Sequence, residues 1–274
     1  MLSVNTNVGA MIALQYLNKT TSELTATQNH INSGLKIANA KDNGAVFAIA
    51  QNMRGDVSAF HAVSDSLNRA ISATDVAMNA GQAVSDLLVE MKGKAVAAAD
   101  LSLDTASRNA LNEDFESLRD QVTNILDNAV FNGVNLTDGT SSSLTALVSA
   151  DGGSRITIDG EDMSLGGSIV TISSGASLST AAAASTMITT INTSLENVNA
   201  ALARLGSSSK QISIQNEFIG KLIDTLNGGI GNLVDADMAT ESAKLQSLQV
   251  KQQLGVQALA IANSAPSIAI SLFR

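Results

Sequence analysis

Two apolar, nearly uncharged segments with a seven-residue beat stand at opposite ends of this chain. Near the start, Leu17, Leu24 and Ile31 fall seven residues apart, with Leu14 and Leu35 beside them. Near the end, Leu254, Ile261 and Ile268 do the same, flanked by Val250 and Leu272. A repeat of seven puts these side chains on one stripe of a helix, and such a stripe seeks another helix. Neither stripe has a partner close by in sequence. The chain therefore folds back on itself like a hairpin, or several chains share their ends. That is the layout of a building block rather than of an enzyme.

Composition agrees with long helices. The 274 residues are 45% hydrophobic but only 3% aromatic, with one Tyr and no Trp. A core built from Ala, Leu, Ile, Val and Met suits helices packed closely side by side. Pro266 is the single proline, so little except glycine interrupts a helix elsewhere. Within a helix Pro266 predicts a kink; at a frayed terminus it is harmless. Residues 1–40 carry only Lys19, Glu23 and Lys36 as charged side chains, and residues 243–274 only Lys244, Lys251 and Arg274. The ends sum to +4, so the net charge of −9 comes from −13 between them (11 basic against 24 acidic side chains). Uncharged ends are compatible with burial in an assembly, and the acidic middle with solvent. The acidic balance argues against nucleic acid, which needs clustered Lys and Arg. With no cysteine, neither a disulfide framework nor a thiolate metal site is possible, and an oxidising exterior is tolerated. Residues 1–10 lack the pattern of a cleavable secretory signal, and no apolar run suggests a membrane span.

Along the chain, periodicity predicts a first helix over about residues 5–33, stopped at Gly34. A longer helix follows Asn43-Gly44, with the stripe Val46, Ile49, Met53, Val57, Phe60, Leu67, Ile71, Met78 and Leu88. Asp104 or Thr105 can cap a third, carrying Leu111, Phe115, Leu118, Val122 and Ile125. It should end at Asn132-Gly133. Residues 137–180 are rich in Ser, Thr and Gly, with β-like runs at 144–149, 155–158 and 168–172 and turn dipeptides at Asp151-Gly152 and Asp159-Gly160. The cleanest repeat comes next: Ile188, Ile191, Leu195, Val198, Leu202, Leu205, Ile212, Ile219 and Ile223 keep three–four spacing over one long helix. Ser209 and Asn216 are polar on that stripe and read as setting register or facing a water. Gly228-Gly229 and Gly231 read as a hinge that ends the helix, and Asp235 as the cap of the last one. The fold class expected is mainly α: an elongated, hairpin-like bundle of long helices with a small β-hairpin region.

Several motifs now carry a resemblance. Residues 33–37, Ser-Gly-Leu-Lys-Ile, and 40–45, Ala-Lys-Asp-Asn-Gly-Ala, resemble the flagellin signature after its first helix. Phe131-Asn132-Gly133-Val134 resembles that family's turn after its third helix. Residues 233–241, Leu-Val-Asp-Ala-Asp-Met-Ala-Thr-Glu, look like the start of its C-terminal segment, and the stretch from Pro266 to Arg274 is similar to its closing residues. The chain is identified as similar to compact flagellins of the α-proteobacterial type.

The resemblance implies an inner coiled-coil layer (D0) from residues 1–42 and 233–274. It implies a second layer (D1) from the helices of 43–135, the hairpin and exposed loops of 136–180, and the helix of 181–232. It implies a secreted subunit, exported unfolded through the flagellar type III apparatus and polymerised outside the cell into the filament. The expected partners are other copies of the chain, an export chaperone on the C-terminal helix, and the filament cap and hook-junction proteins. Residues 1–40 and 240–274 are expected to order only on assembly. Subunit packing would fall to Leu14, Leu17, Leu24, Ile31, Leu35, Val250, Leu254, Ile261, Ile268 and Leu272.

Other sites read more plainly. His30 and His61 are isolated and read as surface or interface residues; the zinc-protease motif of some large flagellins is absent. Gly228-Gly229-Ile230-Gly231 follows no strand and is no dinucleotide fingerprint. No cofactor, metal or catalytic cluster is expected. Residues 137–180 are either a solvated hairpin or, as the resemblance implies, a place for O-glycosylation at Ser141, Ser142, Ser143, Thr171, Ser173, Ser174 and Ser177. The innate-receptor patch of many flagellins aligns with residues 92–96, Lys-Gly-Lys-Ala-Val, and this departure predicts weak recognition. The rival readings are a flagellar hook–filament junction protein and a secretion-needle translocator; the second lacks the long apolar membrane segment it would need.

Overall fold

A computed structural model describes residues 6–141 and 143–271 of the chain, with side chains through Ser264. In chain order the elements are α1 (Val8–Ser33), α2 (Gly44–Ala98), α3 (Thr105–Asn128), β1 (Val130–Phe131), β2 (Val134–Asn135), β3 (Ser143–Leu147), β4 (Arg155–Asp159), α4 (Ala181–Val234) and α5 (Met238–Ser271). The fold is mainly α, with two separate antiparallel strand pairs, β1–β2 and β3–β4. The chain forms two units, residues 1–55 with 225–274 and residues 56–224. The division falls inside α2 and α4.

In the first unit, local chemistry fixes the helix ends. The Asn7 side chain accepts the Ala10 N–H at 3.0 Å, capping α1. Gly34 closes it in the left-handed conformation, φ +72°, its N–H donating to the His30 carbonyl. The Asp42 carboxylate then accepts the N–H groups of Ala38 and Asn39, and Asn43 accepts the Val46 N–H at the start of α2. The two connectors pair with each other. Leu35 bridges Asp235, Lys36 N–H donates to the Val234 carbonyl at 2.8 Å, and Ala236 N–H donates to the Gly34 carbonyl at 2.8 Å.

The second unit is a three-helix bundle with its loops folded onto it. Leu67, Leu88 and Met91 of α2, Phe115 and Val122 of α3, and Ile191, Val198, Leu205, Ile212 and Ile219 of α4 are buried in one cluster. Phe60, Ile71, Leu111, Leu118, Ile188, Leu195 and Leu202 are partly buried against it. At Gly81 a Cβ would stand 2.9 Å from Leu202 Cδ2, so glycine there permits close approach of α2 and α4. Asn216 is tied to α2: it accepts from the Ser64 hydroxyl at 2.7 Å and donates to Asn68 Oδ1 at 2.8 Å. Asn132 and Gly133 both have positive φ, the demand of a two-residue hairpin turn, and join β1 to β2.

Several expectations need correction, the end of α3 first: it stops at Asn128 rather than at Asn132-Gly133, because Val130–Phe131 pairs with Val134–Asn135 as a strand. The α4 helix runs without interruption to Val234, through Gly228, Gly229 and Gly231. A helical glycine costs about 1 kcal/mol against alanine but does not break the hydrogen-bond ladder, and tertiary packing overrides that cost. Asp237, not Asp235, caps α5, accepting the Ala239 and Thr240 N–H groups. Residues 168–172 form no strand. Ile169, Val170 and Ile172 are buried, while the backbone is satisfied by α4 side chains: Thr171 N–H donates to Ser194 Oγ at 3.0 Å, and Asn197 Nδ2 donates to the Ser168 and Ile169 carbonyls. Asp159-Gly160 is not a turn between strands; Gly160 follows β4, where a Cβ would come within 2.2 Å of the Ser141 carbonyl oxygen. In the first unit Val46 and Met53 are half-buried, but Ile49 is exposed. Ala50, one position on, takes the buried place, because the inward face of α2 there steps through 46, 50, 53 and 57.

Candidate assembly surface

The first unit carries the surface of interest, formed by α1 and α5. The two helices run antiparallel. Asn7 Nδ2 donates to the Ala262 carbonyl at 2.6 Å, a Cβ at Gly255 would lie 3.2 Å from Leu17 Cδ1, and His30 Nδ1 lies 3.3 Å from Glu241 Oε1. These pairings fix the register over the whole length of α1. On α5 the residues turned towards α1 repeat by sevens: Glu241, Leu248, Gly255 and Ala262, with Leu245, Gln252 and Leu259 between them, all buried or half-buried. Lys244 Nζ stands 3.9 Å from Glu241 Oε2, so the pair begins on a polar layer beside the connectors.

Away from this contact, large apolar side chains on both helices stand open among polar ones. Leu24 and Leu248 are buried, and Leu17, Ile31 and Leu35 are half-buried. Leu14, Val250, Leu254 and Ile261 face outward, Ile261 being 71% exposed. Tyr16, Met11, Ile12 and Val256 are exposed as well. Val8, Met11, Ile12 and Leu14 line a shallow groove on α1. Ser142 and Leu272, and the Ile268 side chain, lie outside the described residues. Pro266 falls within the span of α5. An apolar face of this extent on a helix pair marks an interaction surface rather than a finished exterior.

The electrostatics are local and serve the helix ends. Hydrogen bonds from the Thr240 hydroxyl and N–H, and from the Ala239 N–H, hold the Asp237 carboxyl below the usual carboxylate range. Bonds from Ser107 do the same to Asp104, which caps α3. Lys94 is pushed up by its 2.6 Å bond to Asp114. Glu161 makes a two-pronged pair with Arg204, both contacts 2.6 Å. None of these is arranged around a reacting atom. Among the described residues no group of three or more His, Asp or Glu could hold a metal ion, and no helix is long and apolar enough to cross a membrane.

Sequence reasoning missed the side chains that finish the backbone. Arg108 donates to the carbonyls of Ala98, Asp100 and Leu103 around the α2–α3 connection. Buried Asn135 donates to the Leu126 carbonyl at 2.6 Å. A lone Arg or Asn carries no periodic signal. Of the candidate modification residues, Ser143, Thr171, Ser173 and Ser174 are exposed and Ser141 and Ser177 half-buried.

Comparison with known proteins agrees with this architecture. A family model of the bacterial flagellin N-terminal helical region matches residues 4–142, and one of the bacterial flagellin C-terminal helical region matches residues 188–273. Flagellin FljM of Caulobacter vibrioides is 55% identical over 272 residues, covering 99% of this chain and 98% of that protein. A flagellin of Brucella melitensis is 36% identical over 283 residues, covering all of both chains. A solved structure of a candidate flagellar hook-associated protein from Vibrio parahaemolyticus superposes with a TM-score of 0.61 at 14% identity, over 71% of this chain and all of that one, which is a likeness of fold. Both family models and full-length relatives above half identity lead to one conclusion: the chain belongs to the bacterial flagellins, structural subunits of the flagellar filament that self-polymerise and are not enzymes.

Proposed function

We propose that the subunit enters the filament by burying the outward apolar faces of α1 and α5 against the same helices of neighbouring copies. The observation that carries this reading is the open stripe Leu14, Val250, Leu254 and Ile261, exposed on a helix pair that fully buries few side chains. Ordering a residue costs about 1–2 kcal/mol of backbone entropy. Full burial of one Leu or Ile side chain gives about 1.5–3 kcal/mol. A pair that fully buries little more than Leu24 and Leu248 is therefore marginal alone, and neighbours tip the balance. On this reading the α1 and α5 segments are unfolded in the free monomer and order on assembly. Amide exchange checks it: protection in α1 and α5 should be weak in the monomer and strong in the polymer. Equal strong protection in both would refute it.

The two layers assigned here are an inner one from residues 1–42 and 233–274 and a second from 43–135, 136–180 and 181–232. A segment that folds only at its destination also passes a narrow channel, which supports export through a flagellar type III apparatus and final residence outside the cell. A chaperone over α5 would keep the apolar face from associating early, and the cap and hook-junction proteins would meet the same face at the filament's ends. Ser173 and Ser174, exposed in a loop, are the best placed for O-glycosylation; an unmodified intact mass of native filament protein would remove that idea. At the receptor-aligned stretch, Lys94 is engaged with Asp114 and Gly93 presents no side chain, which supports weak innate recognition. A reporter-cell response equal to that of an enteric flagellin would count against it. The hook–filament junction role is not favoured, because its support is a likeness of fold while the full-length relatives are flagellins.

A further inference from the structure

Apolar heptads bring two helices together without fixing their register, because a slip of seven residues sets like against like. The α1–α5 pair is open to that error. Its inward faces read Ala10, Leu17, Leu24 and Ile31 on one helix and Leu248, Gly255 and Ala262 on the other. The connectors bond through main-chain groups that every residue but proline possesses, so they carry little sequence information. Register then has to come from side chains that differ from the rest.

One polar layer supplies them. Thr27 is the only buried polar side chain of the first unit among the described residues, and it is wholly inaccessible to solvent. Its hydroxyl has no hydrogen-bond partner. The exposed Thr21 and Thr25 hydroxyls, by contrast, each donate to the carbonyl four residues back, at 2.9 and 3.0 Å. One turn on from Thr27, His30 Nδ1 lies 3.3 Å from Glu241 Oε1; an ionised carboxylate only accepts, so the ring nitrogen is the donor. The second oxygen, Glu241 Oε2, is buried and unbonded, with Lys244 Nζ 3.9 Å away, beyond hydrogen-bond reach. A buried polar atom without a partner lowers stability. Layers of this kind serve where they choose among alignments rather than strengthen one.

We propose that Thr27, His30 and Glu241 form a register lock, which admits α1 and α5 in one alignment and rejects slipped pairings, whether with the chain's own mate or with a neighbour's. In the observed alignment Glu241 meets His30, and Leu17 meets Gly255. A slip of seven residues one way sets Glu241 against Leu24. The opposite slip sets His30 against Leu248 and carries Glu241 past the end of α1. Either one leaves a polar group facing an apolar one, which is penalised in a buried contact. The outward residues Val250 and Leu254 and the inward residues share the same helices and the same spacing, so a bundle of copies offers many wrong mates.

The inference rests on the proposed assembly through α1 and α5, and the test separates the two. The chain has no cysteine, so an introduced pair reports without background. A Cβ at Gly255 would lie 3.9 Å from Leu17 Cβ, a separation that suits a disulfide. In oxidised polymer, Leu17→Cys with Gly255→Cys therefore reports the observed alignment. Leu17→Cys with Ala262→Cys, or with Leu248→Cys, reports a slip of one heptad in either direction. Peptide mass mapping reads all three. In the otherwise unaltered chain only the first pair should oxidise. With Thr27→Val, His30→Leu and Glu241→Leu added, a slipped pair should oxidise as well. Thr27→Val alone should lower the critical concentration for polymerisation about fivefold, since it removes one orphaned buried hydroxyl. A triple variant that keeps the observed alignment or forms no polymer, or a Thr27→Val chain whose critical concentration does not fall, overturns the lock while assembly through the two helices stands. Polymer in which the Leu17–Gly255 pair does not oxidise overturns both.

Discussion

Single glycines in this chain carry opposite meanings, and neighbours decide which. Gly160 has the Ser141 carbonyl oxygen so close that a Cβ would fall 2.2 Å from it, and backbone cannot step aside as a side-chain tip can. Gly160→Ala should destabilise the second unit by about 1–3 kcal/mol, the range for overpacking a tight site. Gly93, inside α2, has nothing within 4 Å of its would-be Cβ. Gly93→Ala should stabilise by about 0.5–1 kcal/mol through helix propensity. Denaturant midpoints followed by circular dichroism would check both; equal shifts of one sign would contradict the account. In the sequence both positions are simply glycine. Asn132-Gly133 was legible as a turn only through the family resemblance; periodicity read it as the end of α3, which stops at Asn128. Asn216 was legible as a polar break in an apolar stripe, but its partners Ser64 and Asn68 lie far away in sequence and left no trace there.

Helices were readable because a period sustained over many turns leaves little choice. The extents of α1, α2 and α3 follow from capping side chains at Asn7, Asn43 and Asp104 and from the glycine after Ser33. Where reading failed, tertiary packing overrode a local rule: α4 continues through three glycines, and residues 168–172 form an irregular segment held on α4 by Ser194 and Asn197. The caps give a pH prediction. Asp104 and Asp237 have lowered carboxyl pKa values in the folded chain, for the hydrogen bonds they accept. A lowered folded value means the group binds its proton more weakly folded than unfolded. Its stabilising contribution is therefore present above the ordinary carboxylate range and is lost as pH falls through the lowered value. In a proton NMR titration the Ser107 amide should respond below the range of an unperturbed aspartate, and the amides of Ala239 and Thr240 should do so in assembled material. A Ser107 response at the ordinary aspartate value would disprove the effect at α3.

At the scale of the whole molecule, the two units differ in what they leave unfinished. The second closes its core on itself, with Phe115, Leu67 and Ile212 inaccessible to solvent. The first presents Leu254 and Ile261 outward. A charge placed there should act on assembly alone: Ile261→Asp should abolish polymerisation, seen as loss of sedimentable filaments, while the denaturant midpoint of residues 56–224 stays at the parent value. A matching drop in that midpoint would show that Ile261 serves the monomer's own fold. The antiparallel union of α1 with α5 has one more consequence. The first helix of the chain finds its mate only in the last, so a product that stops anywhere before Met238 leaves α1 unmated. On the proposed mode of assembly, such a fragment would lack the paired end needed for docking, and growth of the fibre would double as proofreading against truncated copies.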